Sequence, residues 1–483
     1  MATNTEPTSA VAAQEGLRSN VLGMFDSVVM AVAGSAPAYS IAGSTAALIG
    51  AVGLAGPAAL LYCGIPMMGI AWAFSYLNRL ESNAGASYAW VGRVLHPALG
   101  FIAGWSLVIS ATIFMVAGSL PAGSVTLDLF SASAANNSSA VLLVGSIWFL
   151  VMVALVIAGV RMTAQAQWVM SGIEVLLLVV FAVLALVHAA SHHVTTFSWS
   201  WFGFSHFNGM AGFAAGGLIA AFYYWGWDVT SNLNEEMKDS KRSAGIGGII
   251  GVLIVFALFE VYTIVANLTL TPGTVSANAG DVLAVLGQLA WAGVGGKLLV
   301  IAVMLSTVAT LETTLIQVTR TLYAMSRERT MPKFLGSLLP GRQTPWLATI
   351  AVAVVSLGMF IGSNYIGSLN TILSDAISAI GLQVCVYYGL AGLTVVVAFR
   401  KVLFKSVKNL LLIGVWPLVG ALFMLWILFE FVKTNTGDAV VIWVGLGGLG
   451  LGIVPLVIYW ALGSPYFKQR PTLGSVLPED ADA

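Results

Sequence analysis

Glu174, Asp228 and Glu312 are carboxylates placed inside long apolar runs, and two of the chain's apolar runs are broken in their middles. The first break reads Ala33-Gly-Ser-Ala-Pro-Ala-Tyr-Ser40, the second Ala221-Phe-Tyr-Tyr-Trp-Gly-Trp-Asp228. Where a helix is interrupted, one half offers unpaired N–H groups at a positive dipole end, which suit a carboxylate. The other half offers unpaired carbonyls, which suit an ammonium. A zwitterionic amino acid carries both groups. Pro37 has no N–H, so the candidate donors are Ala38, Tyr39, Ser40 and Ile41. The candidate acceptors are the carbonyls of Phe222, Tyr223, Tyr224 and Trp225, whose rings, with Trp227, can face a cation or close over a ligand. A carboxyl held away from water can take up a proton, because losing water favours its neutral form. Glu174 is the candidate for that task, and Glu312 the candidate to meet an amine.

The elements that must position these groups are membrane helices. The chain has 483 residues, 58% hydrophobic and 8% charged, against about 25% charged in soluble domains. Runs of about 20 apolar residues suffice to cross a bilayer. Twelve are expected, at 22–50, 56–80, 97–122, 139–160, 164–189, 210–234, 244–269, 294–320, 345–363, 371–398, 409–431 and 438–461, numbered here as spans 1 to 12. Backbone broken at membrane depth survives only where protein buries it or where it lines a cavity. With the N-terminus inside, all Lys and Arg except Lys297 and Lys433 fall on the cytoplasmic side. That positive-inside bias places both termini in the cytoplasm, with the chain spanning the inner (plasma) membrane several times.

Counting along helices gives depth. At 1.5 Å per residue, Glu174 lies about 20 Å beyond Arg161, Glu312 about 12 Å before Arg320, and Asp228 about 10 Å before Glu235. All three then lie near mid-membrane, level with the breaks. Charges there are expensive, about 2.5–3.5 kcal/mol each on insertion scales, and mark function by default. In span 5, Thr163, Gln167, Ser171 and Glu174 recur every three or four residues; in span 8, so do Ser306, Thr310, Thr313, Gln317 and Arg320. Such spacing puts each set on one helix face. The two polar stripes run from the midplane to the cytoplasm and imply a route opening inward between spans 5 and 8.

The broken spans 1 and 6 lie five apart and run in opposite directions, the pattern of a five-plus-five inverted repeat. The expected fold is all-α and polytopic, with 12 transmembrane helices. The division is a cytoplasmic tail at 1–20, a transport core at 21–400 holding helices 1–10, helices 11–12 at 401–463, and a cytoplasmic tail at 464–483. Cys63 and Cys385 lie inside spans and build no disulfide framework. His192 and His193 are adjacent and lack ligand spacing. No metal motif, nucleophile elbow or phosphate loop is present, so no enzyme, cofactor, metal or nucleic-acid partner is expected. Gly-rich runs such as Gly245-Ile-Gly-Gly248 serve close helix packing.

Phe222-Tyr-Tyr-Trp-Gly-Trp-Asp228, followed by Asn234-Glu-Glu-Met-Lys-Asp-Ser-Lys-Arg242, resembles the span-6 segment of the amino acid–polyamine–organocation (APC) family. Thr319-Arg-Thr-Leu-Tyr-Ala-Met-Ser-Arg327 with Met331-Pro332, and Gly85-Ala-Ser-Tyr-Ala-Trp-Val-Gly-Arg93, are similar to its segments after span 8 and before span 3. The resemblance covers nearly the whole chain. It implies the leucine-transporter-like inverted repeat, with members that move amino acids, polyamines and related amines. It implies that Phe222 is an aromatic gate over the substrate and that Asp228 takes part in gating. Span 1 departs from the family's Gly-Ser-Gly-type break, and Glu174 stands where some proton-coupled members carry lysine.

The expectation is a secondary transporter of amino acids or related amines, working by alternating access with proton symport, its partners being the substrate, a proton and membrane lipid. The alternatives are a substrate/product exchanger without ion coupling and a sodium-coupled symporter using oxygens near Ser306 and Thr310. A channel or membrane sensor fits less well, because the stripes stop at the midplane.

Overall fold

A computed structural model describes residues 16–363, 365, 367–434 and 439–469. Most of both expected tails (1–15 and 470–483), and residue 438 where span 12 was expected to begin, lie outside the described residues. Among the described residues the elements are helices, and the isolated bridge Leu22–Met237 belongs to no strand. Ten helices are long and apolar enough to cross a membrane. The first, Met24–Leu80, runs 57 residues, and Gly209–Tyr223 is apolar but shorter.

Inside Met24–Leu80 the chain is interrupted as its sequence dictates. Helix Met24–Ser35 ends where Pro37 can neither donate an N–H nor allow its predecessor a right-handed helical conformation. Ala36 takes the left-handed region, φ 46° and ψ 63°, and Pro37–Val52 starts afresh with proline in its first turn. Span 2 follows as Gly56–Leu80. Span 6 stops at Tyr223 and resumes only as the short turn Val229–Asn232. Between them Gly226 sits at φ 100°, open to glycine and strained for any other residue.

The residues of the other expected spans up to span 11 form helices at Pro97–Asp128, Ser138–Ala158, Val160–Ser191, Ser240–Thr269, Gly295–Arg327, Trp346–Ser363, Leu369–Ala398 and Trp416–Thr434. The last apolar run is made of Ala439–Ile442, a π turn at Trp443–Gly447, Gly448–Leu451 and Ile453–Ala461. Spans 3, 5 and 8 run 32, 32 and 33 residues. At 1.5 Å per residue they exceed a hydrocarbon core of about 30 Å. Their sequence boundaries fell short because helical structure outlasts the apolar stretch.

Burial sorts the helices. Spans 1, 3, 8 and 10 form the centre, whereas span 5 turns Leu176, Val179, Val183 and Val187 outward, as a lipid-facing wall must. Close approach is managed by hydrogen atoms. A β-carbon on Gly245, Gly247 or Gly248 of span 7 would strike Ser75 of span 2, Ser27 of span 1 or Trp227 of the span-6 break. Cys63 and Cys385 are buried and unbridged.

Candidate functional site

The two breaks touch. A β-carbon on Gly34 would overlap the Gly226 carbonyl, and one on Gly226 would overlap that of Gly34. Around this contact the structure gathers groups from six spans. The Ala38 N–H donates to Glu174 Oε1 at 3.0 Å, and the Tyr39 N–H donates to Ser306 Oγ at 3.1 Å. Thr310 Oγ1 donates to the Gly34 carbonyl at 3.1 Å. The second half of span 1 thus presents its positive end to a carboxylate of the protein itself. Glu174, Ser306 and Thr310 are all buried, and Glu174 Oε2 has no hydrogen-bond partner.

Two of the four expected span-1 donors are ordinary helical amides. Ser40 N–H donates to Ala36 O at 2.8 Å. Ile41 lies beyond it, past the first turn of a helix that begins at Pro37, where amides bond within the helix. Only Ala38 and Tyr39 are available to anything outside the helix. Depth alone could not distinguish them; position within the first turn does.

The span-6 aromatic run divides. Phe222 and Trp225 face Phe114 of span 3, with ring centroids 6.4 Å and 5.5 Å away, and Tyr39 meets Phe114 edge-on at 5.9 Å. These four rings pack at the breaks. Tyr223 instead shares a hydrogen bond with Thr45 at 2.9 Å, and Tyr224 donates to the Leu60 carbonyl at 3.1 Å, so both hydroxyls tie span 6 to spans 1 and 2. The Phe222 carbonyl accepts from the Trp225 N–H at 3.1 Å. Phe114 escaped the sequence reading because an aromatic in an apolar run carries no distinguishing signal.

Asp228 is buried and clamped by span 10: Tyr387 donates to Oδ2 at 3.1 Å and Tyr388 to Oδ1 at 2.9 Å. Trp225 Nε1 donates in turn to Tyr387 at 2.6 Å, linking this carboxylate to the aromatic group. Two adjacent hydroxyls at mid-helix in span 10 could have been flagged by the same depth argument that found the carboxylates.

Glu312 faces span 5, not the rings. Gln167 Nε2 donates to Glu312 Oε2 at 2.6 Å and to the Ala309 carbonyl at 2.9 Å, while Glu312 Oε1 has no partner. The stripes of spans 5 and 8 therefore do meet, but they are zipped together and buried, so the expected inward route is closed. Beyond it, Arg320 is fully buried against Glu236 of the segment after span 6, Nε to Oε2 at 3.1 Å. The Glu236 carbonyl accepts from the Val21 and Leu22 amides at 2.9 and 3.1 Å, and Arg327 pairs with Glu235 at 2.7 Å. The end of the bundle carrying the arginines is sealed. At the opposite end, a cavity of about 480 Å³ is lined by Gly43, Ala47, Gly50, Val275, Leu373 and Asp375, with Gly43 also next to the Tyr39 ring.

A bundle of long apolar helices, two of them interrupted at its centre, with a buried ion pair at one end and a cavity at the other, has the architecture of a multi-pass membrane protein. The sequence model of the family described as amino acid permease matches residues 22–468. The chain belongs to that family, which is one of permeases and not of enzymes. It is 23% identical over 420 residues to the methylthioribose transporter of Bacillus subtilis and 25% identical over 420 residues to the low-affinity putrescine importer PlaP of Escherichia coli K12, covering 82% of this chain and 85% of each relative. It is 24% identical over 302 residues to cationic amino acid transporter 4, vacuolar, of Arabidopsis thaliana, covering 57% of this chain and 47% of that protein. The chain thus spans about half the length of the plant relative.

Proposed function

We propose that this protein is a secondary transporter that moves amino acids or related amines, polyamines included, by alternating access with proton symport. The observation that carries the reading is the bond from Ala38 N–H to Glu174. An ionised carboxylate accepts such a bond about twice as strongly as a neutral group does. Deprotonated Glu174 therefore holds the positive end of the second half of span 1. Protonation weakens that hold and frees the Ala38 amide for the carboxylate of an incoming substrate, beside the Tyr39 amide that Ser306 holds. Proton and substrate then bind together, and the charge at the helix end is conserved.

In this reading Phe222, Trp225, Phe114 and Tyr39 wall the substrate, and Asp228 with Phe222 gates it. The names of the bacterial relatives, a methylthioribose transporter and a putrescine importer, fit small organic solutes and amines as cargo. The ten long helices, with Met24–Leu80 counted as two crossings and the broken span 6 added, make twelve in a leucine-transporter-like arrangement. The core is 21–400, helices 11–12 follow at 401–463, and both tails face the cytoplasm. The basic, sealed end is then the cytoplasmic one, and the 480 Å³ cavity opens outward.

The test is uptake into proteoliposomes with a panel of labelled amino acids and polyamines, comparing the parent with Glu174→Gln. The variant is expected to lose its response to an imposed pH gradient while retaining counterflow. A variant as sensitive to the gradient as the parent, or a parent driven by sodium and indifferent to pH, overturns coupling through Glu174.

A further inference from the structure

On the basic end of the bundle lies a second cavity, of about 290 Å³, lined by Arg18, Gly159, Arg161, Gln165, Gly341 and Arg342. None of its lining residues belongs to either break. Its walls come from three separate places: the segment before span 1, the turn between spans 4 and 5, and the loop before span 9. Hydrogen bonds fasten the three together. Gln343 Nε2 donates to the Gly16 carbonyl at 3.1 Å, Thr344 Oγ1 donates to the Ile157 carbonyl at 3.1 Å, and Arg342 donates to the Ala158 carbonyl. The crevice is a built feature and not a chance gap between loops.

Its charge is one-sided. Guanidinium groups are always protonated and offer only donors. Among the described residues none of the three arginines takes part in an ion pair. This differs from the neighbouring Arg93, Arg320 and Arg327, each of which holds a glutamate. The same crevice receives the first turn of span 5, Val160–Ser191, a 32-residue helix whose N-terminus follows Gly159 and has no side-chain cap. The Met162 and Thr163 amides already donate to the Gly159 carbonyl, whereas those of Val160 and Arg161 precede the helix's internal bonds and carry the positive end of its dipole. Gly159 keeps the approach open: it sits at φ 123°, where a side chain is strained.

Three guanidinium groups without an ion-pair partner, exposed around an uncapped helix start, make an anion site, and a tetrahedral oxyanion with several acceptor oxygens suits the fork geometry of arginine. We propose that this crevice binds a phosphate group, either that of an anionic phospholipid or that of a free phosphate. Met162, which lines it, is exposed, as are Trp168 and Val169 further along span 5. Basic pockets among transmembrane helices on the cytoplasmic side have the chemistry that holds acidic headgroups. A ligand there would bridge the span 4–5 turn to the segment that leads into span 1, the segment that must move if span 1 is to open inward.

The experiment uses the full chain purified in a neutral detergent, in two arms: mixed micelles with phosphatidylglycerol against phosphatidylcholine, and inorganic phosphate against chloride at equal ionic strength. Thermal stability is followed as a titration in each arm. Phosphatidylglycerol, inorganic phosphate or both should stabilise the parent, the responding arm naming the source. The triple variant Arg18→Gln/Arg161→Gln/Arg342→Gln should need about a hundredfold more ligand, at about fivefold per arginine. Lys405→Gln/Lys408→Gln, which removes exposed charges elsewhere on the same end, should respond as the parent does. Should the triple variant aggregate, the single Arg161→Glu replaces it. Stabilisation in neither arm, or stabilisation that survives these substitutions, overturns the proposal, whatever becomes of Glu174.

Discussion

Gly34 and Gly226 meet backbone to backbone, each occupying the space where the other's side chain would be. The last turn of helix Met24–Ser35 and the unwound segment after Tyr223 can approach this closely only because neither glycine carries a β-carbon. Gly34→Ala should therefore push the breaks apart. Overpacking of this kind costs about 1–3 kcal/mol, and here the obstacle is a carbonyl that cannot rotate away. The expected outcome is a lower melting temperature in detergent and loss of uptake; Gly226→Ala should be worse, because φ of 100° is added strain.

Glu174 has a structural duty as well as the proposed protonic one. Glu174→Gln keeps an oxygen for the Ala38 amide, so the fold should melt within a degree or two of the parent. Glu174→Ala leaves that amide buried and unpaired, at a cost of about 1–3 kcal/mol. Thermal melts of the two variants beside the uptake assay separate support of span 1 from proton coupling.

Arg320 and Glu236 form an ion pair with neither side chain exposed. Removing one partner strands the other charge, which costs about 3–5 kcal/mol, whereas replacing both by apolar groups is often neutral. Glu236→Gln should unfold at markedly lower denaturant, and Glu236→Leu with Arg320→Met should recover most of the loss. Recovered stability with leaky or altered uptake would assign the pair to sealing the basic end.

Asp281 caps helix Val282–Ala290, accepting from the Ala284 amide at 3.0 Å. Burial, with Asp128 adding repulsion, pushes its carboxyl up to about 7. A carboxyl raised above its unfolded value favours the protonated form when folded, so its contribution is present at low pH and fades as pH rises through about 7. Asparagine caps equally well and carries no charge. Asp281→Asn should match the parent near pH 5 and melt higher at pH 8.5, as a pH series of thermal scans would register.

Both breaks were legible because their causes are local: Pro37 forbids a continuous helix, and Gly226 permits a conformation few residues adopt. The depth of Glu174 followed from counting. Its partner did not, since the Ala38 contact joins residues 136 positions apart and depends on how span 5 lies against span 1. The two polar stripes were visible as periodicity, yet periodicity is silent on whether water or another stripe fills the space between. Gln167 against Glu312 answers that for this conformation. Arg320, counted at first among the charges of the cytoplasmic surface, turns out to be buried because the segment after span 6 folds back to meet it.

Span 7 has a consequence for motion. Gly245, Gly247 and Gly248 leave no slack against Ser75, Ser27 and Trp227, so parts of spans 1, 2, 6 and 7 are geared together like teeth without backlash. If one tilts, the others are carried along, and the angular change must be absorbed at the joints already bent, Ala36 and Gly226. A methyl group on any of those three glycines should therefore stiffen or jam the whole lever, at a distance from every atom that would touch the cargo.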